Sequence, residues 1–305
     1  MLRFRFVVVV AFAIVSGAGC SHTSDTQKKN EARGHYEVSI AIVQEAQKAG
    51  EIGDNPGRDA KFREALKELL DSEKGNDADP EVQLLLAQVY FLGFRRHDDA
   101  ITHLNKAIAL KAAASISNTS PAEREYPEAE QTLGVVLVDK GTPEAALPHF
   151  EKARTNLLYS TPFFAEQEMG SALFALGRHD AAAQHLGLAI QQQPDLCGAY
   201  ARLADVEEAR GDNARQQKVL GEFLARCDSD RLRAAVSAKL LGPAFFKLGE
   251  SFLRTGDKAA AVDAFRAGAS RFPSDPAGLE CARRLEMLGA SLRPDAVSNG
   301  VSSGG

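Results

Sequence analysis

Residues 163–194 read FFAEQEMGSALFALGRHDAAAQHLGLAIQQQP, and this stretch decides the fold. Small and large apolar residues recur in it at the spacing that lets two antiparallel helices pack closely. Gly177 lies between the two helices, where the backbone needs a positive φ angle, and Pro194 ends the second helix because it has no N–H to donate. The stretch therefore predicts one compact pair of helices.

The same spacing of small and large residues returns several times along the chain. RHDDAITHLNKAI at 96–108 aligns without gaps with RHDAAAQHLGLAI at 178–190, which indicates internal duplication. This period and pattern are those of tetratricopeptide repeats, whose units stack so that neighbours share one continuous core. We therefore predict an all-α fold, a tetratricopeptide superhelix of antiparallel helix pairs with about five to six repeats.

The predicted repeats lie in one domain, residues 35–290. We expect the units near residues 35–70, 80–114, 127–160, 163–196, 197–230 and 242–275, followed by a terminal helix at 276–289. A spacer at 112–125 and an additional segment at 229–241 interrupt the regular spacing. The polar end of the chain, 291–305, has the composition of a disordered tail.

The N-terminus has the parts of a secretory signal peptide. A short basic region precedes the apolar run 6–15, which is too short to span a membrane. Gly-Ala-Gly-Cys at 17–20 then resembles a bacterial lipobox, whose cysteine becomes the acylated first residue of the mature protein. We predict a leader over 1–19, lipidation of Cys20 with palmitate among its acyl chains, and a polar tether over 20–34. The alternative is an ordinary signal peptide with an incidental cysteine.

Composition and motifs argue against several classes of function. The net charge is −5 and no basic stripe with interleaved aromatic residues appears, so nucleic acid is not expected as a partner. No nucleophile elbow, phosphate loop or zinc-protease motif is present, so we predict no enzyme, no cofactor and no small-molecule substrate. His103, His149 and His185 occupy the same position of their units, which favours a feature of the repeat over metal ligands.

Two cysteines fall at matching ends of one predicted unit. Cys197 opens the first helix of unit 197–230 and Cys227 ends the second, and these ends lie side by side in an antiparallel pair. An oxidising compartment permits a disulfide there, which would contribute roughly 3 to 4 kcal/mol in the chain-entropy model. The alternative is two free thiols in the core. Cys281 reads as a buried small apolar residue.

A partner-binding surface is expected on the first helices of the units, which line the concave side of tetratricopeptide stacks. The twelfth position of these helices is apolar in four of five units, the exception being Glu208. An exposed apolar stripe of this kind suits an amphipathic helix or an extended peptide. The alternative is that the same side chains pack between neighbouring units. The predicted groove consists of Phe91, Gln131, Val138, Phe164, Gln167 and Phe174.

Two stretches are similar to a known family. NLLYSTPFFAEQEMGSALFALG at 156–177 resembles a Y-x-T-P segment before a repeat, and the opening MLRFRFVVV resembles the leader of one branch of the same family. The family is that of the type IV pilus pilotins, which includes Tgl, PilF and PilW. The resemblance covers the leader and about residues 127–227; elsewhere the chain matches only the general repeat pattern.

The resemblance implies a lipoprotein on the periplasmic face of the outer membrane, and Ser21 in place of an aspartate agrees with that location. It implies lipid at Cys20 and pairing of Cys197 with Cys227. Such a protein would bind the type IV pilus secretin, promote its multimerisation, and so serve pilus biogenesis and twitching or gliding motility. One alternative is another periplasm-facing tetratricopeptide adaptor, for β-barrel assembly or cell-envelope complexes. A third interpretation is a solute-binding tetratricopeptide protein, which would have a closed polar pocket, whereas the predicted stripe is apolar.

Overall fold

A computed structural model describes residues 23–114, 120–229, 232 and 238–292. Every regular element in these residues is a helix, and the chain divides into two compact units, Met1–Ala172 and Leu173–Gly305. Consecutive helices joined by short turns pack against each other in pairs. The prediction of an all-α tetratricopeptide fold is confirmed.

The first compact unit contains three helix pairs, a one-turn helix and most of a further helix. In chain order they are α1 (Thr23–Glu51), α2 (Asn55–Gly75), α3 (Pro80–Phe94), α4 (His97–Ala113), the one-turn α5 (Pro121–Arg124), α6 (Pro127–Asp139), α7 (Pro143–Thr155) and α8 (Pro162–Ala175), whose last residues belong to the second unit.

The second compact unit contains the remaining helices. They are α9 (His179–Gln192), α10 (Cys197–Ala209), α11 (Asn213–Cys227), α12 (Ala238–Arg254), α13 (Lys258–Arg271) and α14 (Pro276–Met287). Within the described residues, none of the fourteen helices combines the length and the apolarity needed to cross a bilayer.

Several helix ends are marked by residues whose chemistry favours them. Proline at the first helical position has no N–H to leave unpaired, and Asp79 caps α3 by accepting a hydrogen bond from the Glu81 N–H. Gly177 ends its helix with φ of 72°, a region that glycine enters without steric cost. Arg95 adopts the same region with φ of 56°, and its guanidinium donates two hydrogen bonds to the Asp139 carboxylate at 2.6 and 2.8 Å.

The core of each pair depends on a small residue facing a large one. A Cβ added to Gly134 would lie 2.5 Å from Cε1 of Phe150, and one added to Gly249 would lie 2.5 Å from Cε1 of Phe265. Both phenylalanine rings are fully buried, so they cannot move aside. In both pairs, the glycine of the first helix and the phenylalanine of the second therefore form one packing unit.

The structure differs from two predicted boundaries. Residues 23–34, predicted as a tether, form the first part of α1, where Ala32 is only 3% exposed and its carbonyl accepts a hydrogen bond from Ser72 Oγ at 2.7 Å. The polar composition of this segment belongs to the exposed face of a long helix that packs against α2. Helix α12 begins at Ala238, before the predicted start at 242, because Leu241 is buried against the preceding pair.

Candidate functional site

The two cysteines of the predicted pair form a disulfide in the structure, with their Cα atoms 5.9 Å apart. The bond joins the start of α10 to the end of α11 and packs against Tyr200 and Phe223. Cys281 is a free thiol buried in the core, where burial raises its pKa to about 12 and keeps it protonated. Cys20, the predicted lipidation site, lies outside the described residues.

The predicted groove is not an open apolar stripe. Phe91 and Gln131 are each 5% exposed and Gln167 is 4% exposed, so these three side chains are part of the packed interior. The Phe91 ring contacts the His97 ring edge-on at 5.9 Å between centroids, and the Arg95 guanidinium covers it at 5.3 Å. For these residues the prediction of an exposed surface was wrong: all three are buried, and Phe91 is covered by groups on the adjoining turn and on the second helix of its pair.

The other three predicted groove residues are half-buried. Phe164 lies against Phe163 with ring centroids 4.7 Å apart. Phe174 contacts the His179 ring at 5.5 Å, and the Arg202 guanidinium lies 6.0 Å from its centroid. Val138 is near the end of α6. Each is partly exposed, and the two phenylalanine rings make part of their contact with neighbouring side chains.

His103 and His149, which occupy the same position of their units, bond across their helix pairs. His103 Nδ1 donates to Gln83 Oε1 at 2.7 Å, and His149 Nδ1 donates to the buried Glu130 carboxylate at 2.6 Å. Lys152 donates to the same carboxylate at 2.9 Å. Among the residues described, no three metal-ligating side chains come together. The histidines therefore tie the second helix of a unit to the first.

Burial alone raises the pKa of the Glu130 carboxyl, but the hydrogen bonds from His149 and Lys152 outweigh it and the pKa lies below its ordinary value. The pKa of His103 is also lowered, because burial disfavours its charged form. The lowered pKa values favour an ionised Glu130 and a neutral His103 in the folded chain.

A surface groove that the sequence did not indicate lies in the first compact unit. It has a volume of about 560 Å³ and runs between α1, α3 and the start of α6. Its apolar surface comes from Ile40, Leu84 and Leu85, together with the rings of Tyr36 and Tyr126. We call this feature the acidic groove because of the charged residues described next.

Four glutamates and one lysine line the acidic groove: Glu81, Glu123, Glu125, Glu128 and Lys111. Glu81 pairs with Arg33 at 2.9 Å, so part of its charge is offset. The pKa of the Tyr126 hydroxyl is raised, mainly by burial and to a smaller extent by the negative charges of Glu81 and Glu128. The groove therefore combines an apolar and aromatic floor with an excess of negative charge.

One wall of the groove is held in place by Asn156, which is 5% exposed. Its Nδ2 donates to the Ala122 carbonyl at 2.9 Å and to the Glu125 carboxylate at 2.7 Å, while its Oδ1 accepts from the Leu158 N–H at 2.9 Å. These bonds connect the one-turn helix α5 to the loop after α7. The predicted spacer 112–125 thus contributes a structured wall through its residues 120–125.

Two leucines mark the rim of the acidic groove. Leu157 is 94% exposed and Leu158 is 62% exposed, and Leu158 lines the groove itself. Both belong to the NLLYSTP segment that carried the family resemblance. Two adjacent exposed leucines beside an aromatic floor form an apolar patch of the kind used in protein contacts.

A second groove, of about 590 Å³, lies in the second compact unit between α9, α10 and α11. Arg210 bridges Asp180 at 2.9 Å and Glu207 at 3.0 Å, and Lys218 lies 4.0 Å from Glu222. Acidic and basic groups alternate in it and neutralise each other. It therefore shows no preference for a charged partner.

Comparison with known proteins agrees with this architecture. A family model described as Tetratricopeptide repeat matches residues 243–275. No curated protein matches the chain by sequence. The chain is a tetratricopeptide-repeat protein by its fold.

Several solved structures resemble this one. PilW, described as a widely conserved type IV pilus biogenesis factor, is 18% identical, with a TM-score of 0.61 over 80% of this chain and 97% of its own. PilF of Pseudomonas aeruginosa is 12% identical, with a TM-score of 0.58 over 82% of this chain and 99% of its own. The Cut9–Hcn1 hetero-tetramer of the APC/C is 14% identical, with a TM-score of 0.52 over 86% of this chain and 48% of that chain. At these identities the likeness is one of fold.

Proposed function

We propose that this protein is an outer-membrane lipoprotein scaffold that acts in type IV pilus biogenesis, where it binds the pilus secretin and promotes its multimerisation. The observation that carries the proposal is the length of the match with PilW, nearly all of whose chain superimposes on this one. The match with PilW extends over 80% of this chain at a TM-score of 0.61, and the NLLYSTP segment, which resembles the same family, supports the proposal.

The proposed role is non-catalytic. Tetratricopeptide stacks present extended surfaces to other proteins, and the groups that could do chemistry here are committed to structure. His103 and His149 bond across helix pairs, Cys197 and Cys227 are joined, and Cys281 is buried and protonated. Binding energy in such a scaffold comes from buried apolar side chains, at about 1.5–3 kcal/mol for each large one.

The lipid anchor is the second part of the proposal. Two or more acyl chains on Cys20 would hold the chain stably at the periplasmic face of the outer membrane, since each buried methylene contributes about 0.8 kcal/mol. Helix α1 begins only a few residues after this cysteine, so the repeats would lie close to the membrane surface. The Cys20→Ala variant is expected in the soluble periplasmic fraction, and an unchanged membrane fraction would contradict the anchor.

The function is tested by deleting the gene and blotting for heat-resistant secretin multimers. The proposal expects multimers and surface pili to be lost and to return with the wild-type copy. Normal multimers with normal pili would overturn it. General loss of outer-membrane proteins with intact secretin would instead identify an adaptor for β-barrel assembly or for other envelope complexes.

A further inference from the structure

The acidic groove has the surface chemistry of a docking site for one kind of peptide. Its volume of about 560 Å³ falls within the range of about 300–1,000 Å³ typical of ligand clefts. It lies between α1, α3 and the start of α6 and is partly open to solvent, so a segment of another chain can enter it. Its floor is made by Ile40 and Leu84 with the two tyrosine rings.

The charged side chains around this floor determine which kind of peptide segment could bind in the groove. Glu81 and Glu128 stand in the first turns of α3 and α6, and Glu123 and Glu125 belong to the wall between them. Against these four carboxylates stand Lys111 in the lining and Arg33 outside it, which pairs with Glu81 at 2.9 Å, so negative charge remains in excess. An acidic segment, or an anionic lipid surface, would be repelled here, whereas lysine or arginine side chains would find partners on both sides.

The exposed leucines extend the same surface. Leu158 lines the groove and Leu157 stands beside it with 94% of its area exposed. A segment lying in the groove would therefore meet apolar surface on the floor and at the rim, with carboxylates between. This combination of apolar and acidic surface suits a segment that presents apolar and basic side chains together, such as a basic amphipathic helix.

We infer that the acidic groove binds a basic amphipathic segment of the partner protein, with leucine-like side chains on Leu84, Tyr126 and Leu158 and basic side chains at Glu81 and Glu128. The inference rests on the proposed function in taking the partner to be a protein. It adds where that protein is held and which chemistry selects it.

The test uses the purified full-length chain and two fluorescein-labelled peptides of equal length. Both carry leucines at the spacing of an amphipathic helix; the polar face is lysine in one and glutamate in the other, and binding is followed by fluorescence anisotropy at low and high salt. The lysine peptide is expected to bind, more weakly as salt rises, and the glutamate peptide is not.

Variants locate the binding on the molecule. Glu81→Gln with Glu128→Gln is expected to weaken binding of the lysine peptide about threefold to tenfold, since one exposed ion pair changes affinity at most about fivefold. The matched control, Asp180→Asn with Glu222→Gln, removes the same charge from the second groove and is expected to leave binding unchanged. Leu158→Ser alters an exposed side chain, so it is expected to weaken binding while circular dichroism and the melting temperature stay unchanged.

Three results would overturn the inference: equal binding of both peptides, equal loss in the control variant, or a chain that sediments as a dimer and becomes a monomer on Leu158→Ser. The last would make a second copy the occupant. If peptide binding fails while gene deletion still abolishes secretin multimers, only the groove assignment falls. If the groove binds as expected and secretin assembles normally without the protein, only the pilus function falls.

Discussion

Breaking the bond between Cys197 and Cys227 should loosen one helix pair and leave the rest of the chain unchanged. The two cysteines are separated by 30 residues. For a loop of this size the chain-entropy relation gives about 3.7 kcal/mol at 25 °C, because the unfolded pair regains the freedom that the bond removes. Reduction of the wild-type chain keeps the sulfur atoms in place, so it isolates this effect better than substitution.

Hydrogen exchange read by mass spectrometry measures the effect where it occurs. Amides of α10 and α11 that exchange by opening of this pair should exchange roughly 500-fold faster after reduction, since each 1.4 kcal/mol is a factor of ten. Peptides of α6 and α7 are an internal control and should not change, while Cys281→Ala controls for the free thiol. A change below about fivefold in α10 and α11, or an equal change in α6 and α7, would refute the reasoning.

Further predictions concern packing, pH and the groove wall. Gly134→Ala should lower the free energy of unfolding by about 1–3 kcal/mol, since the new Cβ meets the buried Phe150 ring, whereas Gly187→Ala, with open space around it, should raise stability by about 0.5–1 kcal/mol; urea denaturation that gives both variants the same sign would contradict this. The lowered pKa of Glu130 contributes stability that is present above its ordinary pKa of 4.5 and lost as the pH falls through the lower folded value, so Glu130→Gln should flatten the acid limb of a melting-temperature profile; an unchanged limb would count against the network. Asn156→Ala removes three hydrogen bonds and should cost about 2–4 kcal/mol, with faster exchange of the Leu158 amide; exchange like that of the wild type would show that the wall does not depend on it.

The fold could be predicted from the sequence because tetratricopeptide packing is local. A glycine such as Gly134 and a phenylalanine such as Phe150 are close in the chain and meet in one helix pair, so their spacing reports their contact. The pair Cys197 and Cys227 followed from the same local geometry. The long helix α1 was missed at its start because its first turns are polar on nearly every side, a composition that equally suits a tether.

The candidate site could not be predicted in the same way. Position within a repeat says which way a side chain points, but not what covers it, and Phe91 is covered by His97 and Arg95. The acidic groove brings together Tyr36, Leu84 and Leu158, which no repeat spacing connects. The acidic run around Glu123 to Glu130 and the paired leucines at 157 and 158 were visible signals, yet nothing in the sequence places them side by side.

The repeat at residues 163–194 by itself determined that this chain folds as stacked helix pairs, because each pair is stabilised by contacts between residues near each other in sequence. Only the tertiary structure decided which of its surfaces is open to a partner. That depends on how successive pairs and the wall held by Asn156 cover one another, and these contacts join residues far apart along the chain. The exposure of a side chain depends on the elements that pack around it, so the spacing of residues within one repeat cannot determine it.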